Sequence, residues 1–155
     1  MNNTDQELTD LYQEVVIEHS KHPRHFKKLE NATHRAEGFN PLCGDQITLY
    51  AVLCNDQIAD IGFLGDGCAI SKASASLMTA AVKGKTQTEA IMLFESFRSM
   101  LTNGPDAKEN KEKLGKLAAL SGVSEFPMRV KCATLAWHTL KNALEQKQIT
   151  ASTEQ

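Results

Sequence analysis

Between Asp45 and Asp66 the chain carries a pattern that few folds accept. Ile47, Leu49, Ala51 and Leu53 alternate with Gln46, Thr48, Tyr50 and Val52, Asn55-Asp56 follows, and Ile58, Ile61, Phe63 and Leu64 resume the apolar run. Side chains alternate between faces along a strand, and Asn-Asp is turn chemistry, so the segment predicts a β-hairpin with one apolar face. If Asn55-Asp56 is a two-residue turn, facing positions sum to 111, which sets Cys54 opposite Gln57, Asp45 opposite Asp66 and Cys43 opposite Cys68. The same register carries Cys54 to the turn end, roughly 30 Å from Cys43 at about 3.3 Å per residue. Cys54 is therefore not expected to share a site with the other cysteines.

Those other cysteines stand in three separated motifs: Cys43-Gly44-Asp45, Gly67-Cys68-Ala69 and Lys131-Cys132-Ala133. No C-x-x-C pair is present, which excludes a zinc knuckle, so a shared site has to be assembled by a folded scaffold. The small-residue run from Ala69 to Met78 predicts a tightly packed helix after the Gly65-Asp66-Gly67 turn. Cys68 then lies at its N-terminus, where backbone N–H groups and the macrodipole favour an anionic sulfur. Cys132 falls in the early turns of a last helix opened by Pro127, with Val130, Ala133, Trp137, Leu140 and Leu144 as its buried stripe. Arg129 and Lys131 are two cations that would favour the ionised form of Cys132, or else simple solvated charges. Three thiolates and a carboxylate suit tetrahedral zinc, and the soft sulfurs suit a small iron-sulfur cluster equally. A carboxylate holds such a metal less firmly than a fourth thiolate would, which points to an exchangeable ligand and transfer chemistry. A purely structural zinc, and a Cys43–Cys68 disulfide, are the competing readings.

A chain of 155 residues, 41% hydrophobic, with a formal net charge of -2, reads as a single domain with a real core and without bulk attraction to nucleic acid. The domain is expected to span 1–155, with its core at about 8–144 and a charged helical insertion at about 105–125. No apolar run approaches membrane-spanning length and the first residues are polar, so a cytoplasmic location without a membrane partner is expected. Leu8, Leu11, Tyr12, Val15, Val16 and His19 predict a packing helix that Pro23 ends. Thr86 and Glu89 form a capping-box pattern ahead of a second helix with Ala90, Leu93, Phe94, Phe97 and Leu101 inward, stopped by Asn103-Gly104-Pro105. From Asp106 to Leu120 the apolar stripe is thin (Leu114, Leu117, Ala118, Leu120), which reads as a peripheral helix or mobile insertion, and the tail after Leu144 reads as frayed. His19, His22 and His25 recur every third residue, but Pro23 breaks the helix that would align them as ligands. Lys21, Arg24, Lys27 and Lys28 form a basic patch that is a solvated helix end or a contact for an acidic protein. His138 reads as a half-exposed helix residue, and Gly65-x-Gly67 lacks the third glycine of a dinucleotide site.

At its cysteine motifs the chain resembles a known family. Asn40-Pro41-Leu42-Cys43-Gly44-Asp45, Gly65-Asp66-Gly67-Cys68-Ala69-Ile70-Ser71 and Arg129-Val130-Lys131-Cys132-Ala133-Thr134-Leu135-Ala136-Trp137 are similar to the U-type (NifU N-terminal/IscU-like) iron-sulfur cluster assembly proteins, and within them to the SufU branch. The resemblance runs from about Leu8 to Leu144. It departs from the IscU scaffolds in carrying Lys131 where they have a histidine, in lacking their chaperone-recognition stretch at Phe126-Pro127-Met128-Arg129, and in the charged segment from Asp106 to Gly122 that matches a SufU-type insertion. The resemblance implies an α+β fold, a small antiparallel β-sheet covered on one face by helices with a metal site at the sheet's end. It implies one Zn2+ held by Cys43, Asp45, Cys68 and Cys132, or a transient iron-sulfur cluster at the same site. It also implies a sulfur relay rather than a stand-alone enzyme, taking persulfide sulfur from a SufS-type pyridoxal-phosphate cysteine desulfurase and passing it to a downstream Suf scaffold. Cys43, on a glycine-containing loop, is the expected acceptor, with Cys132 second and Arg129 a partner contact. The alternative is a scaffold for a labile [2Fe-2S] cluster. A zinc deaminase would need H-x-E and P-C-x-x-C elements, which are absent.

Overall fold

The computed structural model describes residues 3–103, 114–145 and 151–152, with side chains described for 10–103 and 114–145. Helix α1 (Asn3–Lys21) is followed by strands β1 (His34–Asn40), β2 (Asp45–Cys54) and β3 (Gln57–Asp66). Helices α2 (Ala69–Val82) and α3 (Gln87–Asn103) come next, then a 3₁₀ segment (Gly115–Glu125), helix α4 (Pro127–Leu144) and a two-residue strand β4 (Ala151–Ser152). The sheet order is β3-β2-β1-β4, antiparallel through its first three strands, with β4 parallel to β1. Helix α4 packs on β1 and β2, and α2 on β3. The result is the expected α+β architecture.

The hairpin turn forms as its residues dictate: Asn55 and Asp56 both take positive φ, 51° and 70°, the geometry whose twist matches that of paired strands. The register then departs from expectation. Cys54 faces Gln57 and Leu53 faces Ile58, but Val52 faces Asp60, so Ala59 is an extra residue on β3. This bulge shifts every later pair by one position, and Gln46, not Asp45, ends up opposite Asp66. A bulge inserts two residues against one and sharpens the local twist. Its trace in the sequence is the odd spacing of Ile58 and Ile61, both buried, which breaks the two-residue period that a constant register of 111 assumes.

One apolar cluster fills the space between sheet and helices, taking in Ile47, Leu49, Ile61, Phe63, Leu77, Met78, Phe97, Leu135 and Trp137. Trp137 is stacked against Phe94 and Phe97, with ring centroids 5.7 and 5.1 Å away. Burying a ring system of this size removes roughly 150–250 Å² from water, worth about 4–6 kcal/mol at about 25 cal/mol per Å². Thr86 and Glu89 form the reciprocal capping box: the Thr86 N–H donates to Glu89 Oε1 at 2.9 Å and the Glu89 N–H to Thr86 Oγ1 at 3.1 Å. Met100 is buried in α3 where the periodic pattern had placed Leu93, which is only half-buried, and Leu11 of α1 is exposed.

Two further expectations change. Gly115 to Glu125 is a 3₁₀ segment with Leu117, Ala118, Ala119, Leu120, Ser121 and Val123 buried, so this stretch belongs to the core rather than the periphery. The segment packs against α1, α2, α3 and α4, so more than one of its faces is covered. The charged residues 104–113 of the proposed insertion lie outside the described residues. Past Leu144, Ala151 and Ser152 pair with Gly38 and Phe39, adding a strand that the polar tail had not suggested. Among the described residues no helix is long and apolar enough to cross a membrane.

Glycine at position 38 decides how closely α4 approaches the sheet: a Cβ there would collide with the Thr139 hydroxyl and crowd Leu135. Close approach at Thr139 brings Cys132, two turns earlier on α4, level with the end of β1. The histidines serve packing. His19 is buried with its Nδ1 2.7 Å from Ser76 Oγ, which also accepts the Arg24 N–H at 2.7 Å, and His25 Nδ1 lies 3.1 Å from Thr79 Oγ1. Burial, and second the nearby cations Arg24 and Lys83, hold both imidazoles below the usual histidine range. Of the basic patch, Arg24 pairs with Glu18 and Lys28 with Glu30. His138 meets the edge of the Phe94 ring.

Candidate metal centre

The hairpin's open end, the turn into α2 and the first turns of α4 converge. Asp45 opens β2 and is fully buried. Its Oδ1 accepts the Cys68 N–H at 2.9 Å, and its Oδ2 faces Cys68 Sγ at 3.9 Å. Cys68 is the residue capping α2, and its sulfur accepts the Ser71 N–H at 3.4 Å. That is the helix-terminal setting inferred from the small-residue run after it. Cys132 is 2% exposed and its Sγ lies 3.3 Å from Cys43 Sγ. Cys43 is exposed on the loop between β1 and β2, which turns at Gly44 with φ of 72° and closes by a Gly44 N–H to Asn40 carbonyl bond of 2.8 Å.

The ligand atoms of Cys43, Asp45 and Cys132 lie within 4.8 Å of one another, and Cys68 stands beside them through Asp45. No cysteine is in a disulfide. The partner that the register of 111 set against Cys43 was Cys68. The sulfur that the fold brings to it is Cys132, since the bulge shifts the strands and α4 descends over Gly38. Cys54 stays at the turn, as expected.

Electrostatics at Cys132 also differ from expectation. Its thiol is pushed strongly upward, first by burial, then by hydrogen bonding to Cys43 and Asp45 and by the nearby Cys68. Arg129 does not offset this, for its guanidinium lies over the Phe126 ring at 4.6 Å. A thiol so placed needs a cation at the site to become a thiolate. Asp45 is 0% exposed, and no cationic side chain among the described residues pairs with it. A buried carboxylate without a counter-charge is costly, and the donor set of sulfurs plus one oxygen fits a borderline dication.

Asn40 opens the first cysteine motif, where its residue type alone points to no role. It is fully buried at the end of β1, with its amide nitrogen 3.4 Å from Asp45 Oδ2 and 3.6 Å from Cys132 Sγ. Its signal was weak but present, because a polar residue at an inward position of a strand needs a partner. Leu42, next to Cys43 in the chain, and Phe126 and Met128 at the start of α4 are exposed apolar side chains.

Residues 11–133 match the model of the NifU-like N terminal domain. The chain belongs to that family. All four candidate ligands fall within the matched span. Among relatives of the family, the iron-sulfur cluster assembly scaffold protein IscU of Streptococcus pyogenes serotype M1 is 45% identical over 139 residues, covering 90% of this chain and 86% of that protein. The zinc-dependent sulfurtransferase SufU of Bacillus subtilis strain 168 is 40% identical over 141 residues, covering 91% and 94%. Among solved structures, FiSufU of Fervidobacterium islandicum AW-1, proposed as an iron-sulfur cluster assembly scaffold protein for the SUF system, superposes with a TM-score of 0.78 at 38% identity, covering 84% of this chain and 94% of that one.

Proposed function

We propose that this member of the NifU-like family is a zinc-dependent sulfur acceptor in iron-sulfur cluster assembly. Cys43, Asp45, Cys68 and Cys132 hold one Zn2+, and Cys43 takes sulfur from a SufS-type cysteine desulfurase and passes it to a downstream Suf scaffold in the cytoplasm. The observation that carries this is the asymmetry of the site. A fully buried carboxylate and a buried thiol lie beside two exposed thiols, of which Cys68 accepts the Ser71 N–H at the start of α2 while Cys43 sits on a glycine-turned loop. Bound zinc would supply the positive charge that keeps the three sulfurs as thiolates at neutral pH. The Cys43 thiolate attacks the terminal sulfur of the donor's Cys–S–SH. A new S–S bond forms at Cys43, the donor's S–S bond breaks, and the donor cysteine leaves as a thiolate, so no external oxidant or reductant is needed. Cys132, buried on α4, and Cys68, engaged with the α2 N-terminus, are less free to swing than Cys43. Exposed Leu42, Phe126 and Met128, with Arg129 beside Phe126, offer the desulfurase an apolar surface next to the acceptor.

The names of the Streptococcus pyogenes relative and FiSufU support a second reading, a scaffold on which a labile [2Fe-2S] cluster is assembled. The two part on one experiment. Zinc-loaded protein incubated with a pyridoxal-phosphate cysteine desulfurase and cysteine should accelerate sulfide release and acquire one persulfide on Cys43, seen by mass spectrometry, and Cys43→Ser should abolish both. Protein that is inert with zinc but builds and hands on a cluster after anaerobic iron reconstitution would establish the scaffold reading instead.

A further inference from the structure

Buried Asn40 is hydrogen-bonded to two of the candidate ligands, Asp45 and Cys132, and to the backbone N–H groups on either side of a third, Cys43. Its side-chain orientation is fixed by chemistry: the Leu42 N–H, which can only donate, points at Asn40 Oδ1 at 3.2 Å. The Nδ2 group therefore faces inward, with one hydrogen available to Asp45 Oδ2 at 3.4 Å and the other to Cys132 Sγ at 3.6 Å. The Asn40 carbonyl also accepts the Gly44 N–H at 2.8 Å, closing the loop that bears Cys43. Asp45 is held from the opposite side, where its Oδ1 accepts the Cys68 N–H at 2.9 Å. The carboxylate is thus clamped between two donors that leave Oδ2 turned toward the sulfurs.

We propose that Asn40 is a positioning residue that sets the ligand geometry before the metal arrives. Resting on the metal reading above, this deepens it: Asn40 aims Asp45 Oδ2 and Cys132 Sγ, and ties the Cys43 loop to that fixed pair. Hydrogen bonds to ligand atoms orient them and lower the reorganisation that binding would otherwise cost, and losing such a partner typically weakens metal affinity by about 10–100-fold. An apolar residue at position 40 would leave a carboxylate oxygen and a sulfur without their donor. It would also leave the Leu42 N–H without its acceptor.

The test uses the full chain with cobalt(II) as a spectroscopic probe and zinc for affinity. Asn40→Ala removes both donors and the Oδ1 acceptor, while Asn40→Ser keeps a short hydroxyl and serves if the alanine variant does not fold. Thermal unfolding of the metal-free proteins measures the cost to the fold separately. The expected result is a zinc dissociation constant about tenfold or more above wild type by chelator competition, with thiolate-to-cobalt charge-transfer and d–d bands shifted in position, at unchanged stoichiometry. Folded variants with wild-type affinity and wild-type bands would overturn the role of Asn40. Wild-type protein that takes up neither ion would overturn the metal reading itself, and this inference with it.

Discussion

A Cβ added at Gly67 would lie 2.6 Å from Asp45 Oδ1 and 3.1 Å from its Cβ and Cγ. Gly67→Ala is thus a lever on the carboxylate that substitutes none of the proposed ligands. Because the backbone of Gly67 is not in the left-handed region, alanine carries no conformational strain there and should even gain about 0.4–1 kcal/mol from a stiffer unfolded chain. Against this stands the collision, and Asp45 cannot yield freely, being fully buried and bonded to the Cys68 N–H at 2.9 Å. If the carboxylate swings away, a charged hydrogen bond worth about 1.5–3 kcal/mol is lost. If the backbone moves instead, overpacking costs about 1–3 kcal/mol. The routes are alternatives, so the metal-free protein should lose about 1–2 kcal/mol net in urea denaturation. Zinc affinity should fall by about 10–100-fold, as for a misplaced ligand. Gly122→Ala, where an added Cβ meets nothing within 4 Å, is the control and should be neutral in both measurements. The decisive comparison is a double-mutant cycle: in an Asp45→Ala background the Gly67→Ala change should cost little zinc affinity, since the group it displaces is gone. Equal effects in both backgrounds would refute the placement of the carboxylate against Gly67.

Cys54→Ser should retain zinc while Cys43→Ser, Cys68→Ser and Cys132→Ser each lose it, because Cys54 faces Gln57 at the hairpin turn; chelator-release titration of the four variants checks this. His19 is buried and its folded pKa lies below the ordinary histidine value of about 6.5, so the unfolded chain takes up the proton first. That contribution to stability is full above about pH 6.5 and is lost as pH falls toward the lower folded value; His19→Gln should flatten the decline between pH 7.5 and 5.5, and an unchanged slope would contradict the burial argument. Thr86→Ala should cost about 1 kcal/mol by removing one arm of the capping box, read as a lowered urea midpoint without change in zinc affinity.

The periodicity from Ile47 to Leu64 was enough to define the hairpin, its turn and the remoteness of Cys54, because a two-fold alternation and a turn dipeptide are local properties of the chain. The capping box at Thr86 and Glu89 and the start of α4 at Pro127 were legible for the same reason, as was the setting of Cys68 ahead of a small-residue helix. Tertiary structure decided which sulfur meets Cys43. The bulge at Ala59 moved the strand register by one residue, and the approach of α4 over Gly38 brought Cys132 to 3.3 Å from Cys43. It also gave Asn40 its contacts and reversed the expected environment of Cys132, whose thiol answers to burial rather than to Arg129. These depend on packing between segments some ninety residues apart, where a fraction of a turn or a single extra residue changes the neighbour, and such distances are set by how the whole core closes rather than by any local pattern.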